Sequence, residues 1–294
     1  MNNYMIGYLL AGITIISWGL CVIPVKMSRA PGRQGVFFSI LGGLFILTPF
    51  FLYNALNCSP EIWKSSWKTL VLYIVLGGIC QFPLATIFYY EAIKSAEIST
   101  IVPLKSLKII VVIILVFLLG IEPLSKYTIL GGLVGIAGAF TLAGKSTHTH
   151  TESLRYGIIM VLLACVFWAI GDILLREAVA ILPSAIVTPA ALFAGGIGYY
   201  SWLLIRKKFK KVYNISKYDK ICYLIHGILS FGVGYCMFFA AMNYIGINRT
   251  VIITSAWPLI AFLVGILLYR EKVTFRKIAG TVLLIGSIYI ATVN

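Results

Sequence analysis

Two lysines, Lys105 and Lys108, lie three positions apart within an apolar stretch at residues 98–119. Side chains at this spacing occupy neighbouring parts of one helix face. At about 1.5 Å per residue, Lys108 falls roughly 14 Å along a helix that begins near Ser99. Pro103, just before the lysines, breaks the hydrogen-bond ladder of that helix. An ammonium group at this depth is costly unless it faces a cavity or a negative charge.

The chemistry that these lysines could do is the neutralisation of an anionic group on a bound molecule. We expect at least one of them to line a binding cavity. A lysine can instead snorkel to a polar surface or pair with a structural carboxylate, and both alternatives stay open. Ser106, between the lysines, adds a hydroxyl group to the same stretch.

Asp172 is the carboxylate best placed to act with these lysines. It comes one helical turn after Trp168 and one turn before Arg176, so the three side chains share a face. We expect Asp172 to be a counter-ion to Lys105 or a proton-coupling site. An ion pair between Asp172 and Arg176 near the helix end is the structural alternative.

Polar groups also occur in the apolar run at residues 69–92. Gln81 lies in its middle and needs a hydrogen-bond partner there, so it is expected to face a cavity or to bridge two helices. Glu91 ends the run beside Tyr89 and Tyr90, where it either guards an entrance or lies at an interface.

Three tryptophans lie in the middle of apolar runs and could form the walls of a pocket or stack on a cation. Packing alone is the alternative. Together with the polar groups, they give the candidate binding residues Trp18, Gln81, Tyr89, Tyr90, Lys105, Ser106, Lys108, Trp168, Asp172, Ser255 and Trp257.

No catalytic, cofactor-binding or metal-binding residues are predicted. The HExxH and GxSxG motifs are absent and the chain has only nine acidic residues, so an enzyme is not expected. His148 and His150 alternate in a polar segment that fixes no ligand geometry. No cofactor is expected, and coupling to protons or to sodium stays open.

The elements that carry these residues are long and apolar. The chain has 294 residues, of which 60% are hydrophobic and 11% charged, whereas soluble domains carry about 25% charged residues. The apolar runs are close to the length of a membrane-spanning helix. The ten runs are 4–25, 35–56, 69–92, 98–119, 127–144, 155–177, 184–205, 219–243, 250–269 and 276–293. These runs predict an all-α integral membrane protein with ten transmembrane helices.

The two halves of the chain resemble each other. A shift of 149 positions aligns Ser106 with Ser255, Lys105 with Thr254, and Glu122 with Glu271; a shift of 150 aligns Trp18 with Trp168. The predicted units are residues 1–145 and 155–294, with a polar linker at 146–154. Because each unit has five spans, the second must enter the membrane inverted, with a central cavity between the halves. Glu122 and Glu271 are expected to cap the helix that follows each of them.

The ordered set of motifs resembles the drug/metabolite transporter superfamily of the EamA type. The motifs are Trp18-Gly19 answered by Trp168-Ala169, Pro103 and Pro258, and a Glu after the fourth and ninth helices that precedes a Gly-rich helix. The resemblance covers the whole chain. It implies ten helices around a central cavity, lined mainly by the first, third and fourth helices and their partners, and it implies no particular substrate.

The basic residues predict an orientation. Seventeen of the 24 Lys and Arg residues fall in loops after odd-numbered helices and five in loops after even-numbered ones. This bias places the odd loops in the cytoplasm and both termini outside, although many relatives are drawn with both termini inside. The cluster Arg206–Lys211 either only orients the chain or also binds anionic lipid head groups.

These observations predict a secondary transporter in the cytoplasmic membrane that carries a small metabolite, anionic or zwitterionic, by alternating access. A channel-like or lipid-translocating protein is the alternative. The expected partners are a small-molecule solute and membrane lipid, without nucleic acid. The chain is expected to be a monomer or a homodimer, since Gly131 and Gly135 permit close helix approach within the fold or between subunits.

Overall fold

Every regular element that the computed structural model describes is helical, as the apolar runs predict. The structure describes residues 3–58, 60–95, 104–142, 151–269 and 273–293. The helices of the first half are α1 (Asn3–Leu20), α2 (Val22–Met27), α3 (Gly32–Leu56), α4 (Pro60–Ile79), α5 (Ala85–Ser95), α6 (Lys108–Leu118) and α7 (Lys126–Leu142). A π-helical stretch, Cys80–Leu84, joins α4 to α5, and a 3₁₀ turn, Lys105–Leu107, precedes α6.

The second half contains α8 (Thr151–Val179), α9 (Ser184–Ile205), α10 (Phe209–Tyr213), α11 (Lys217–Gly227), α12 (Tyr235–Ile245), α13 (Ile247–Thr254), α14 (Trp257–Tyr269) and α15 (Phe275–Thr292). A π-helical stretch, Ile228–Gly234, joins α11 to α12. Helix α8 begins at Thr151, so residues 151–154, predicted as linker, are its first turn. The rest of the predicted linker lies outside the described residues.

Seven helical stretches in the described part of the chain are long and apolar enough to cross a membrane. They are Asn3–Val25, Gly32–Leu56, Trp67–Tyr89, Arg155–Val179, Lys217–Ile245, Ile247–Val264 and Phe275–Thr292. Many large apolar side chains on these helices face outward, Phe45 and Val282 among them. Such a surface suits lipid rather than water, so the chain is a multi-pass membrane protein. The other three predicted spans correspond to α6, α7 and α9.

The two halves pack into each other rather than side by side. Helix α1 packs against α12 and α14, and α8 packs against α5 and α6. Helices α3 and α9 contact each other, as do α7 and α15. Each of these contacts joins one half to the other, so the interior lies between the halves.

Glycines allow the closest of these approaches. A Cβ at Gly78 would overlap the carbonyl oxygen of Ala191, and a Cβ at Gly227 would overlap that of Ser39. Gly78 and Gly227 are 149 positions apart. Each lies in the last turn of the helix that precedes a π-helical stretch. Within these stretches Phe82 and Phe231, also 149 apart, pack with ring centroids 5.3 Å from each other.

Glu122 was predicted to cap the helix that follows it, and this prediction is wrong. The carboxylate of Glu122 accepts hydrogen bonds from the backbone N–H groups of Ile247 (2.6 Å) and Asn248 (3.2 Å), at the start of α13 in the other half. Gly246, with φ of +81°, leaves the space that the carboxylate fills. The following helix, α7, is capped instead by Ser125, whose hydroxyl accepts from the N–H of Thr128 (3.1 Å). Glu271 lies outside the described residues.

Candidate binding site between the two halves

The ammonium group of Lys105 lies among three aromatic rings. The ring centroids are 4.8 Å away for Trp168, 5.1 Å for Trp257 and 5.3 Å for Tyr89. These distances are within the range of cation–π attraction. Among the described residues, no carboxylate lies within ion-pair distance of Lys105. We call Tyr89, Trp168 and Trp257 the aromatic cage; its members come from α5, α8 and α14.

A break in the helix positions Lys105. Residues 105–107 form a 3₁₀ turn and α6 begins at Lys108, so carbonyl groups near the turn lack α-helical partners. The thiol of Cys165 in α8 lies 3.5 Å from the carbonyl oxygen of Lys105 and 3.7 Å from that of Leu104. Helix α8 therefore both supplies Trp168 to the aromatic cage and contacts the backbone that carries Lys105. Ser106 lies in this turn.

Lys108 has a different partner. Its ammonium nitrogen lies 2.6 Å from Oδ2 of Asp172, with side chains that are 13% and 0% exposed, respectively. The ammonium also lies 5.2 Å from the ring centroid of Phe238. Oδ1 of Asp172 has no hydrogen-bond partner within the described residues. Burying such a pair costs desolvation of both charges, so the pair is sensitive to the loss of either partner.

Gln81 extends the polar interior. Its buried side chain, in the first π-helical stretch, packs against Gly171 and lies close to the Asp172 carboxylate and the Tyr235 hydroxyl. Neither amide atom meets hydrogen-bond geometry with any residue that the structure describes. Gln81 and Asp172 thus present polar atoms between α8 and the π-helical stretch that could bind a guest molecule.

A second aromatic pair mirrors the aromatic cage. The ring of Trp18 packs against Phe238 at 5.1 Å and Tyr235 at 5.0 Å, and its Nε1–H donates to the carbonyl of Ser230 (3.4 Å). In sequence, Trp18 and Phe238 correspond to Trp168 and Tyr89 of the cage, which pack at 5.3 Å. Trp18 therefore packs against the same ring, that of Phe238, that faces the Lys108 ammonium group.

The structure thus brings most of the predicted residues together. Lys105, Lys108, Gln81, Tyr89, Trp168, Asp172 and Trp257 converge, with Trp18 beside them. Phe238 and Tyr235 were not predicted; the signal for Phe238 was its position, 149 residues after Tyr89. The hydroxyl of Ser255 donates to the carbonyl of Ile252 (2.6 Å) and lies beside Gly135.

Other predictions need correction or lie beyond the described atoms. Asp172 pairs with Lys108 rather than Lys105, and Arg176 pairs with Glu177 (2.6 Å) rather than Asp172. Lys105 has aromatic partners instead, and the Asp172 carboxylate forms its ion pair with Lys108. The side chain of Tyr90, together with Pro103, His148 and His150, lies outside the described residues.

Glu91 forms an ion pair with Arg33 of α3, with 2.5 Å between the carboxylate and guanidinium groups. Both side chains are partly buried. The guanidinium also lies 5.5 Å from the ring centroid of Trp202. Glu91 therefore ties the end of α5 to the start of α3, two residues after Tyr89 of the aromatic cage.

The fold and the buried polar site define a multi-pass helical membrane protein with a charged interior. The EamA-like transporter family matches residues 5–144 and again residues 155–293. The chain belongs to this family, with two copies of its domain. Two curated relatives are each 23% identical. One, Uncharacterized transporter YoaV of Bacillus subtilis, matches 99% of this chain and 97% of its own length. The other, an Uncharacterized transporter of Archaeoglobus fulgidus, matches 82% of both chains.

The fold also matches a solved crystal structure. That chain superposes with a TM-score of 0.78 over 97% of this chain and 96% of its own length, at 16% sequence identity. At this identity the match concerns the fold alone. Together with the transporter names of the curated relatives, the family membership supports a membrane transporter rather than an enzyme.

Proposed function

We propose that this protein is a secondary transporter that moves a small anionic or zwitterionic metabolite across the cytoplasmic membrane by alternating access. The observation that carries the proposal is the buried ammonium of Lys105, surrounded by the aromatic cage and without a carboxylate partner among the described residues. Aromatic rings stabilise a cation without neutralising it. The positive charge of Lys105 is therefore available to a carboxylate or phosphate on the solute.

The Lys108–Asp172 pair supplies the second part of the proposed site. Lys108 is already neutralised, so it contributes less attraction for an anion than Lys105 does. The free Oδ1 of Asp172 and the amide of Gln81 can accept hydrogen bonds from an ammonium or hydroxyl group. A zwitterionic solute would place its negative end at Lys105 and its positive end near Asp172.

The proposal of alternating access is based on the similarity of the two halves and on their proposed inverted orientation. Ten helices in two inverted units would place this site at the middle of the membrane, where secondary transporters bind their solutes. The contact between Phe82 and Phe231, equivalent positions of the two halves, supports a pseudo-two-fold axis between them. The π-helical stretches at 80–84 and 228–234 interrupt regular hydrogen bonding there, as π-helical turns at functional sites do. We place the hinges of the rocking motion in these stretches.

Transport in proteoliposomes tests the proposal. Counterflow of radiolabelled anionic, zwitterionic, neutral and cationic metabolites would be compared for the unmodified protein and Lys105→Met, which keeps the length of the side chain and removes its charge. We expect accumulation of an anionic or zwitterionic solute, reduced at least tenfold in Lys105→Met. Lys105→Arg should retain part of the activity, because the guanidinium also binds carboxylates and stacks on rings.

Lys68→Met is the matched control, since Lys68 is exposed and lies 5.8 Å from a single ring, that of Trp67. Its transport should equal that of the unmodified protein. Full transport by Lys105→Met would remove Lys105 from the site. Flux without counterflow would indicate a channel-like protein, since a carrier exchanges solute across the membrane and an open channel does not.

A further inference from the structure

A cationic cavity lies at the end of α9, and none of the aromatic cage residues lines it. It measures about 100 Å³, and its wall includes Arg33, Lys208, Lys211 and Trp202. The guanidinium of Arg33 and the ammonium of Lys208 each lie 5.5 Å from the ring centroid of Trp202. Among the described residues, the ion pair of Arg33 with Glu91 is the one salt bridge that these cations form. The cavity therefore carries excess positive charge.

The wall of this cavity is held in place by its neighbours. Tyr199 is buried and stacks on Trp202, with ring centroids 5.7 Å apart and an angle of 16° between the planes. The hydroxyl of Tyr199 donates to the carbonyl oxygen of Arg33 (2.7 Å). These contacts fix the backbone of Arg33 and the ring of Trp202, so the two sides of the cavity keep their spacing. Nε of Arg33 is buried without a hydrogen-bond partner within the described residues.

An exposed apolar face of α9 lies next to the face that lines the cavity, which carries Tyr199, Trp202 and Leu203. Phe193, Ile197, Tyr200 and Leu204 recur every three or four residues and are each at least 40% exposed. Residues at this spacing form one face of a helix. Helix α9 ends at Ile205, and Lys208 follows after a turn. The cavity therefore lies at the end of an apolar helix that is exposed to lipid, where the head groups of the membrane would meet its cations.

We propose that this cavity binds the phosphate group of an anionic phospholipid from the surrounding membrane. Lys208 and Lys211 attract the phosphate, and Trp202 marks the depth of the head groups, as tryptophans do at membrane interfaces. Basic residues near a membrane surface favour anionic lipids by about fivefold each. Two such residues give about 25-fold at most, and because both lysines are exposed to ions that screen their charge, we expect a preference of about tenfold over a zwitterionic lipid.

Native mass spectrometry of the purified full chain tests this proposal. The protein would be released from detergent with equal amounts of phosphatidylglycerol and phosphatidylcholine of the same acyl chains. We expect one phosphatidylglycerol to be retained at about tenfold higher occupancy than phosphatidylcholine. Lys208→Gln/Lys211→Gln should lose this preference, and Lys208→Arg/Lys211→Arg should keep it. Both positions are exposed, so the replacements do not disturb packed side chains.

Lys68→Gln is the matched control, because Lys68 also lies over a tryptophan, Trp67, in an exposed position of the other half. It should retain the preference for phosphatidylglycerol. An unchanged preference in Lys208→Gln/Lys211→Gln, or no preference in the unmodified protein, would overturn the proposal. Displacement of phosphatidylglycerol by millimolar inorganic phosphate would also overturn it, because the site would then recognise the ion without the lipid.

Discussion

Lys105 and Lys108 are three residues apart, yet the protein stabilises their charges in different ways. The rings around Lys105 attract its ammonium group through their quadrupoles, each by about 0.5–2 kcal/mol when desolvated. Asp172 instead neutralises Lys108 at 2.6 Å in a site that excludes solvent from the carboxylate. Under the proposed function, Lys105 stays available to a solute, while Lys108 is committed to its ion pair with Asp172.

The ion pair gives a prediction about stability. Lys108→Met should destabilise the protein by about 3–5 kcal/mol, because it leaves the carboxylate of Asp172 buried without a counter-charge. The double variant Lys108→Met/Asp172→Leu should be more stable than Lys108→Met, since it removes both charges. Reversible unfolding of the purified protein in mixed micelles, followed by circular dichroism, measures both free energies.

Arg176→Gln is the control for that measurement. Arg176 and Glu177 are paired at 2.6 Å, with side chains 27% and 31% exposed. A pair that keeps this much contact with its surroundings is screened far better than the fully buried Asp172, and surface pairs contribute about 1 kcal/mol or less, so this variant should lose much less stability than Lys108→Met. Equal losses for Lys108→Met and the double variant would mean that the buried charge is not the cause.

Sequence reasoning reached many of the site residues because charges are rare in apolar runs. Lys105, Lys108 and Asp172 stand out for this reason alone. Their pairing could not be predicted, because spacing along one helix says nothing of which face the neighbouring helix presents. Phe238 is one of many phenylalanines in apolar sequence, and only the repeat relation to Tyr89 distinguishes it.

At the scale of the helices, contacts at helix ends join the two halves of the chain. Glu122, at the end of one helical hairpin, satisfies the first N–H groups of α13, 125 residues away. The sequence suggested a local cap because capping residues usually precede their own helix. The long-range contact depends on tertiary packing and on the positive φ of Gly246, and neither is visible in the residues around Glu122.

A change at Glu122 tests this cap. Glu122→Gln keeps the shape of the side chain but removes the charge that complements the helix N-terminus, and should cost about 1 kcal/mol of unfolding free energy. Gly246→Ala should cost more, because a Cβ there would come within 2.5 Å of the carboxylate and the backbone has φ of +81°. Unfolding in micelles measures both. Equal stability of Glu122→Gln and the unmodified protein would exclude a capping role.

Helix contacts at glycine give a separate prediction. Gly227→Ala should destabilise the protein by about 1–3 kcal/mol, because its Cβ would overlap the Ser39 carbonyl of α3. Gly12→Ala is the control, since no atom lies within 4 Å of a Cβ at that position. The control should be as stable as the unmodified protein or slightly more so. Thermal unfolding of the two purified variants checks the difference.

On the scale of the whole molecule, long apolar runs predicted a helical membrane protein, and the described residues are helical throughout their regular elements. Seven of the ten predicted spans meet the length and hydropathy of a crossing. Of the other three, α6 and α7 are shorter than a crossing within the described residues. Helix α9 is long enough, but its glycines and tyrosines lower its mean hydropathy. The interlocking of the halves could not be read from the sequence, because a repeat specifies similar units but not their contacts.

The proposed inversion of the second half makes a topological prediction. Lys68 and Lys217 are 149 residues apart and exposed, so they occupy equivalent places in the two halves. The partly exposed Cys58 and Cys80 would be replaced by Ser, the four buried cysteines kept, and one cysteine introduced at either position. The introduced cysteines should label from opposite sides of the membrane: Lys68→Cys from outside and Lys217→Cys from the cytoplasm. A membrane-impermeant maleimide on intact cells measures this. Labelling of both from one side would contradict the inversion.

The two lysines occur in only one of the two copies of the family domain. The position equivalent to Lys105 is Thr254, and the position equivalent to Lys108 is Trp257. If the halves were identical, exchanging their conformations would leave the energy of the empty protein unchanged. Under the proposed mechanism, the differences between Lys105 and Thr254 and between Lys108 and Trp257 give the two conformations different energies. The unloaded carrier should then rest with one opening favoured, and solute should be released more readily toward one compartment than toward the other.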